Sequence, residues 1–349
     1  MDRYSANKAF SIVHFHLLFN YYILKMKPKI LVIAAIPRKG LAELEQKFEL
    51  VYPTQNFMFS DEELKVLIRN VDGVLSVFTK PITAEVLKEG KHVKIVANFG
   101  VGFNNVNVAK ATEMGIVVCN TPNAVTEPTA EMAFGLLLSL TRNITLTDRG
   151  LRTNPDFKWG MMENLGTGIF GKTVGIVGMG RIGQAFARRV IASGMKVIYY
   201  NRVRLAEDIE QKYVCQWVSF EELLERSDVI SLHCPLTDET NHLLNEAAMV
   251  RMKQGAIIIN TARGSVVDEK MLAKYLQNGK LGGAGLDVFE AEPVITPELL
   301  ALDNVVLTPH NATGTIDTRI EIAREAAENI LRFFEGRRDI SIVNPEVWR

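Results

Sequence analysis

Cysteine is scarce in this chain of 349 residues: Cys119, Cys215 and Cys234 stand far apart. Their number is odd and they form no CxxC or histidine-spaced pattern, which argues against a disulfide framework or a structural zinc and fits a reducing cytosol. An excess of either charge is absent too. Forty basic residues balance forty acidic ones, so no whole-protein field gathers nucleic acid phosphates or an anionic membrane. Long apolar runs are missing. The one membrane-like stretch, Ala9 to Leu24, carries His14, His16 and Asn20 and falls short of the ~20 residues that span a bilayer. Lys25, Met26 and Lys27 follow it where a signal peptide needs a small-residue cleavage site. Residues 1 to 25 are therefore read as an extension outside the fold, upstream of a start at Met26. There are no repeats or low-complexity tracts, and no length remains for a C-terminal regulatory domain.

What the sequence does have is a globular composition, 47% hydrophobic and 23% charged, and enough length for about two domains at roughly 150 residues each. From Lys29 short apolar runs alternate with amphipathic segments. Strands are expected at Ile30 to Ala34, Val74 to Val77 and Ile95 to Ala97, and an apolar helix at Glu127 to Arg142. That is the rhythm of parallel α/β structure. Asn143 to Gly171 shows little periodicity and reads as a long excursion. The rhythm restarts at Lys172 with a βαβ unit: strand KTVGIVG, turn GMGRIG, a helix from Gln184 to Ser193 and strand KVIYY. Further strands are expected at Val214 to Val218, Val229 to Leu232, Ala256 to Asn260, Leu286 to Val288 and Val305 to Leu307, with a capping box from Ser219 to Glu222. A helical stripe of Ile316, Ile320, Ala323, Ala327, Ile330, Leu331 and Phe334 closes the fold.

The turn Gly178-Met179-Gly180-Arg181-Ile182-Gly183 joins an apolar strand to a helix. In that context the first glycine permits the turn, the second lets a pyrophosphate approach the backbone, and the third lets the helix pack on the strand; the helix N-terminus offers N–H groups to the phosphates. A carboxylate usually ends the second strand of such a unit and accepts from the ribose hydroxyls. Here that strand ends in Asn201 and Arg202, with Arg204 close behind. A neutral amide and two arginines suit a 2′-phosphate better than a bare diol, so NADP(H) is favoured, with NAD(H) the alternative. Arg263, Glu292 and His310 each follow an apolar run of the same unit, and open parallel sheets bind ligands at the carboxyl ends of their strands. No ligand cluster for a metal is found.

Through VANFGVGFNNVN, TVGIVGMGRIG, HCPLT, INTARG, GLDVFEAEP and LTPH the chain resembles the D-2-hydroxyacid dehydrogenases over roughly residues 26 to 340. The resemblance implies two Rossmann-like α/β domains of doubly wound parallel sheet. A dinucleotide-binding domain at 126–312 is inserted into a substrate domain of 26–125 and 313–349, with a cleft between them that closes on the substrate. It implies that Arg263 anchors the substrate, His310 transfers the proton and Glu292 orients the histidine. The N–H groups of Val101 and Gly102 would receive the substrate carboxylate, and Phe78 and Thr79 would line the pocket. Thr129 and Asp287 would lie at the nicotinamide end, His233, Cys234 and Pro235 on the adenosine side, and Thr261 would also bind the cofactor. The implied activity is hydride transfer between NAD(P)H and a small 2-oxo acid, glyoxylate or hydroxypyruvate first, in a cytoplasmic homodimer in which Phe157 and Trp159 are candidates for packing across the interface. A dinucleotide-binding corepressor acting through protein partners is the alternative. Formate dehydrogenases of this superfamily carry an amide where Glu292 stands, which argues against that activity.

Overall fold

The computed structural model describes residues 27–53 and 58–348. The extension read at residues 1 to 25 lies outside the described residues. The chain divides into two compact units, one of residues up to Ala124 together with Thr315–Arg349, the other Val125–Gly314.

The first unit holds a five-stranded parallel sheet of β1 (Lys29–Val32), β2 (Glu49–Val51), β3 (Gly73–Val77), β4 (Ile95–Phe99) and β5 (Val117–Cys119), ordered β2-β1-β3-β4-β5. Every residue of β3, β4 and β5 is buried, as a parallel sheet covered on both faces requires. The strand order reverses between β1 and β3, and the chain leaves both strands there at their carboxyl ends, the usual place for a ligand. The helix Ile316–Phe334 packs on this sheet through Ala323, Ala327, Ile330 and Leu331. Ile322 and Ala326 are buried as well, while Ile316, expected in the stripe, is 67% exposed. At the first turn it lies next to the Thr315 cap, where the side chain accepts from Thr318 N–H.

The second unit holds seven parallel strands: β6 (Thr173–Val177), β7 (Lys196–Tyr200), β8 (Cys215–Trp217), β9 (Val229–Leu232), β10 (Ala256–Asn260), β11 (Leu281–Leu286) and β12 (Val305–Leu307), ordered β12-β11-β10-β9-β6-β7-β8. This is the dinucleotide-fold order, with its switch point between β6 and β9. Three expectations need correction. The last strand but one is Leu281–Leu286, not Leu286 to Val288. Its glycines hide it from a propensity reading, but they are there for closeness: a Cβ on Gly283 would come within 2.9 Å of Leu140 and one on Gly285 within 3.0 Å of Leu136, because the helix Thr126–Thr141 lies directly on the strand. The stretch from Asn143, read as aperiodic, contains a helix, Ile144–Thr153, whose apolar and polar residues separate onto different faces although none of its residues is buried. Ser219 Oγ does accept from Glu222 N–H at 3.1 Å. The Glu222 carboxylate, however, pairs with Arg226 instead of closing a capping box.

Candidate active site

The glycine turn after β6 is tied to the ends of both neighbouring strands. Gly178 N–H donates to Tyr200 O at 3.0 Å, Met179 N–H to Asn201 Oδ1 at 2.7 Å, and His233 N–H to Val177 O at 2.8 Å. Each glycine has its own reason. Gly178 has φ +93, and a Cβ there would lie 2.6 Å from Cys234 N; one on Gly183 would lie 2.3 Å from Gly178 O. Gly180 is different, because nothing lies within 4 Å of the position its Cβ would take and its φ of −80° suits any residue. The protein itself does not require glycine at 180, so the bare backbone there fits a ligand that approaches it. It opens the helix Arg181–Ala192, whose first-turn N–H groups lack helical partners.

Two buried polar atoms in this unit have no hydrogen-bond partner, His233 Nδ1 and Thr261 Oγ1. They belong to the segments that follow β9 and β10. Orphaned buried groups are costly, and both fit the polar partners that a dinucleotide bound at these strand ends would offer. Burial pulls the His233 pKa down to about 3, so its ring is neutral, and Ser231 Oγ lies 2.8 Å from Nε2. Burial raises the Cys234 thiol to about 11. Pro235 is exposed and Thr129 is buried on its helix. At the end of β7, Asn201 spends its side chain on the glycine turn, and Arg204 is held in a two-pronged pair by Glu210, at 3.0 and 2.7 Å. Arg202 is exposed, in the bend between them.

The other three motif residues converge. Asn260, almost wholly buried at the end of β10, donates to Arg263 O at 2.9 Å and accepts from Ala262 N–H at 3.0 Å. That fixes the turn presenting Arg263. Burial lowers the guanidinium's pKa and the charge of Glu292 opposes the shift, so the two groups feel each other. Gly264 packs backbone to backbone on Phe289 and Glu290. Phe289 N–H donates to Glu292 Oε1 at 3.0 Å, and Glu292 Oε2 lies 2.7 Å from His310 Nδ1. Burial raises the pKa of Glu292, but the hydrogen bonds from His310 and Phe289, with the charges of His310 and Arg263, outweigh it and hold the carboxyl below its ordinary value. His310 has φ +49, an unfavourable conformation for a non-glycine residue that the surroundings must hold. They do so through Asp287, whose backbone O accepts from His310 N–H at 2.8 Å and whose carboxylate accepts from Thr308 Oγ1 at 2.6 Å and from Asn311 and Ala312 N–H at 2.9 Å. Burial keeps Asp287 above the usual carboxylate range despite those bonds.

In the five-stranded unit, Phe78 and Thr79 follow β3 at the strand-order reversal and line a pocket with Met58, Phe99 and Arg319. The Arg319 guanidinium lies 5.5 Å from the centroid of the Phe78 ring and 5.7 Å from that of Phe99. Val101 and Gly102 follow β4 in a loop opened by Gly100 at φ +145. Sequence reasoning missed Asn260, Asn98 and Asn120. Their one local signal is an amide at or just beyond the end of an apolar strand. Among the described residues, no group of three His, Cys, Asp or Glu side chains is placed to hold a metal ion, and no helix is long and apolar enough to cross a membrane.

Residues 134–312 match the family model of the D-isomer specific 2-hydroxyacid dehydrogenase NAD binding domain. A glyoxylate reductase of Korarchaeum cryptofilum is 44% identical over 92% of this chain and 97% of its own length. The chain belongs to the D-isomer specific 2-hydroxyacid dehydrogenases. Among solved structures, a glyoxylate reductase from Paecilomyes thermophila shares 33% identity at TM-score 0.83, covering 92% of this chain and 99% of that one. An NADPH-dependent glyoxylate/hydroxypyruvate reductase of Sinorhizobium meliloti, in complex with NADP and malonate, shares 31% at TM-score 0.79, covering 91% and 97%. As a member of this family the chain is a nicotinamide-dinucleotide oxidoreductase acting on 2-oxo and 2-hydroxy acids. The corepressor alternative draws no support from these relatives.

Proposed function

We propose that this dehydrogenase reduces glyoxylate, and hydroxypyruvate beside it, with NADPH preferred. The observation that carries the reading is the Glu292–His310 pair coupled to Arg263 at the strand ends of the dinucleotide unit. Glyoxylate carries the smallest carbon skeleton a 2-oxo acid can have, and the names of the relatives point the same way. The Gly178–Gly183 turn, Thr261 and His233 are the residues that would hold the dinucleotide. When bound and reduced, its nicotinamide supplies the hydride.

The chain's own groups do the rest. Arg263 offers a forked pair of donors, holding the substrate and favouring the charge that develops on its carbonyl oxygen. His310 delivers the proton that this oxygen takes up, from Nε2, because Nδ1 is engaged by Glu292. Glu292, ionised, engages Nδ1 and holds the ring in that orientation. The Val101 and Gly102 N–H groups receive the substrate carboxylate. Arg202, exposed where a carboxylate usually stands, supports the NADPH preference.

The homodimer reading draws on the exposed apolar side chains of one segment: Leu151, Trp159, Met161, Met162, Leu165 and Phe170 are 56–92% exposed, a concentration that a partner surface would cover. Phe157 packs against Gly150 instead. Three unpaired cysteines fit a reducing cytoplasm.

The test follows reduced-nicotinamide absorbance with NADPH and NADH against glyoxylate, hydroxypyruvate, pyruvate and bulkier 2-oxo acids, for wild type and Arg263→Lys. Glyoxylate turnover that falls by orders of magnitude in Arg263→Lys, with unchanged dinucleotide affinity, supports the reading. No turnover on any 2-oxo acid ends it.

A further inference from the structure

Two amides in the five-stranded unit have no role in its hydrophobic packing. Asn98 lies inside the apolar strand β4 at 0% exposure. Its Oδ1 accepts from Ser76 Oγ at 2.8 Å and Asn105 Nδ2 at 2.9 Å, while its Nδ2 donates to Gly102 O at 2.7 Å. Asn120, just past β5, donates from Nδ2 to Val101 O at 2.8 Å, and its Oδ1 accepts from Ser341 Oγ at 2.7 Å. One residue on, Thr121 N–H donates to Gly100 O at 3.0 Å, and Thr121 Oγ1 accepts from Gly100 N–H at 2.9 Å. Three consecutive carbonyls, those of Gly100, Val101 and Gly102, are thus bonded back into the protein.

In a planar trans peptide the C=O of one residue and the N–H of the next point in opposite directions. Bonding the three carbonyls inward therefore turns the N–H groups of Val101, Gly102 and Phe103 the other way. None of these three N–H groups has a hydrogen-bond partner among the described residues. Successive outward N–H groups make a concave anion site.

We infer that Asn98 and Asn120 are positioning residues that aim a three-donor anion nest, Val101, Gly102 and Phe103, at the substrate carboxylate. This rests on the proposed reading that the loop receives that carboxylate, and it adds the third donor and the two amides that orient the set. The carboxylate's charge does not change as the neighbouring carbonyl is reduced, so the nest holds substrate and transition state alike. Its loss must then appear in KM rather than kcat.

The experiment is steady-state kinetics on glyoxylate for Asn98→Leu and Asn120→Leu, which match asparagine in shape and remove the amide. Asn344→Leu is the control: Asn344 is an equally buried amide of the same unit, bonded to Val118 N–H, Ile116 O and Thr112 Oγ1 and not to the loop. KM for glyoxylate should rise about ten- to hundred-fold in each test variant, with kcat held within about threefold and the dinucleotide Kd unchanged. Asn344→Leu should lower Tm and leave KM in place. A KM that moves no more than in the control, or a fall in kcat at constant KM, overturns the inference. Asn120 is only half-buried, so its variant decides the matter should Asn98→Leu fail to fold. A wild type without turnover on any 2-oxo acid refutes the parent reading; normal turnover with unmoved KM in the variants refutes only this one.

Discussion

Adding a single methyl group at Gly264 should disable the enzyme without emptying its dinucleotide site. A Cβ built on Gly264 lies 1.9 Å from the carbonyl carbon of Phe289, 2.1 Å from its oxygen and 2.3 Å from Glu290 N, all backbone atoms that no rotamer change can remove. Restoring an ordinary 3.4 Å contact requires the two segments to part by about 1.5 Å. Arg263 rides on one segment. On the other, Phe289 N–H fixes Glu292 at 3.0 Å, and Glu292 in turn fixes His310. The separation therefore pulls Arg263, the proposed substrate anchor, away from His310, the proposed proton donor. A misplacement of about 1 Å costs on the order of a hundredfold in rate, and overpacking adds ~1–3 kcal/mol to the folding cost. For Gly264→Ala we expect kcat/KM on glyoxylate to fall at least about a hundredfold, with dinucleotide Kd within about threefold of wild type. The assays are steady-state rates at saturating dinucleotide, calorimetric Kd and a thermal melt. If kcat/KM stayed within about threefold of wild type, the backbone contact would not be what sets the Arg263–Glu292 geometry.

Gly180→Ala makes the complementary case. Open space surrounds its Cβ position, so the ligand-free Tm should stay put while the Tm rise on adding dinucleotide shrinks; a fall in the ligand-free Tm would contradict this. Arg202→Ala should weaken NADPH by ~1.5–3 kcal/mol, the range for a hydrogen bond to a charged group, and spare NADH, whereas Arg204→Ala should do less because Glu210 already holds that guanidinium. Equal effects at the two arginines, read by calorimetry, would refute the distinction. Hydrogen bonds from Arg204 and Tyr199 pull the Glu210 pKa down from 4.5 to about 2. A depressed carboxyl stabilises the fold above its unfolded pKa and loses that contribution as pH falls toward the folded one. The Tm gap between wild type and Glu210→Gln should therefore hold above about pH 5 and close toward pH 2; a gap independent of pH would refute the assignment.

The strand-end chemistry was legible because it is written locally. Gly178, Gly180 and Gly183 follow a run of apolar residues, and the surroundings of each agree with the role its spacing gives it. Arg263, Glu292 and His310 read as candidates for the same reason, and the fold brings them together through the Gly264–Phe289 backbone contact, the Glu292–His310 hydrogen bond and the Asp287 anchor. What stayed hidden depends on partners that only folding provides. Arg204 looked available for a phosphate until the helix Glu207–Lys212 brought Glu210 beneath it. Asn98, Asn120 and Asn260 each satisfy a loop that closes back on them, and sequence spacing does not show which carbonyls they take. Gly282, Gly283 and Gly285 argue against a strand on propensity alone; the helix packed on Gly283 and Gly285 explains those two, and the Gly255 backbone beside Gly282 explains the third. The helix Ile144–Thr153 is amphipathic but has only Ile144, Leu146 and Leu151 as large apolar residues, too few for its stripe to stand out in the sequence.

Asp287 gives the fold a division of labour useful to an engineer. Its carboxylate and carbonyl secure Thr308, His310, Asn311 and Ala312, so the loop that carries His310, the proposed proton donor, is anchored to the end of β11. The Asn201–Leu205 loop, at the end of β7, shares no hydrogen bond with that anchor among the described residues. On the proposed reading, dinucleotide selectivity can then be altered at 202 without touching that anchor. Substitutions at 287 would have to preserve the 308–312 loop before any gain in selectivity could be seen.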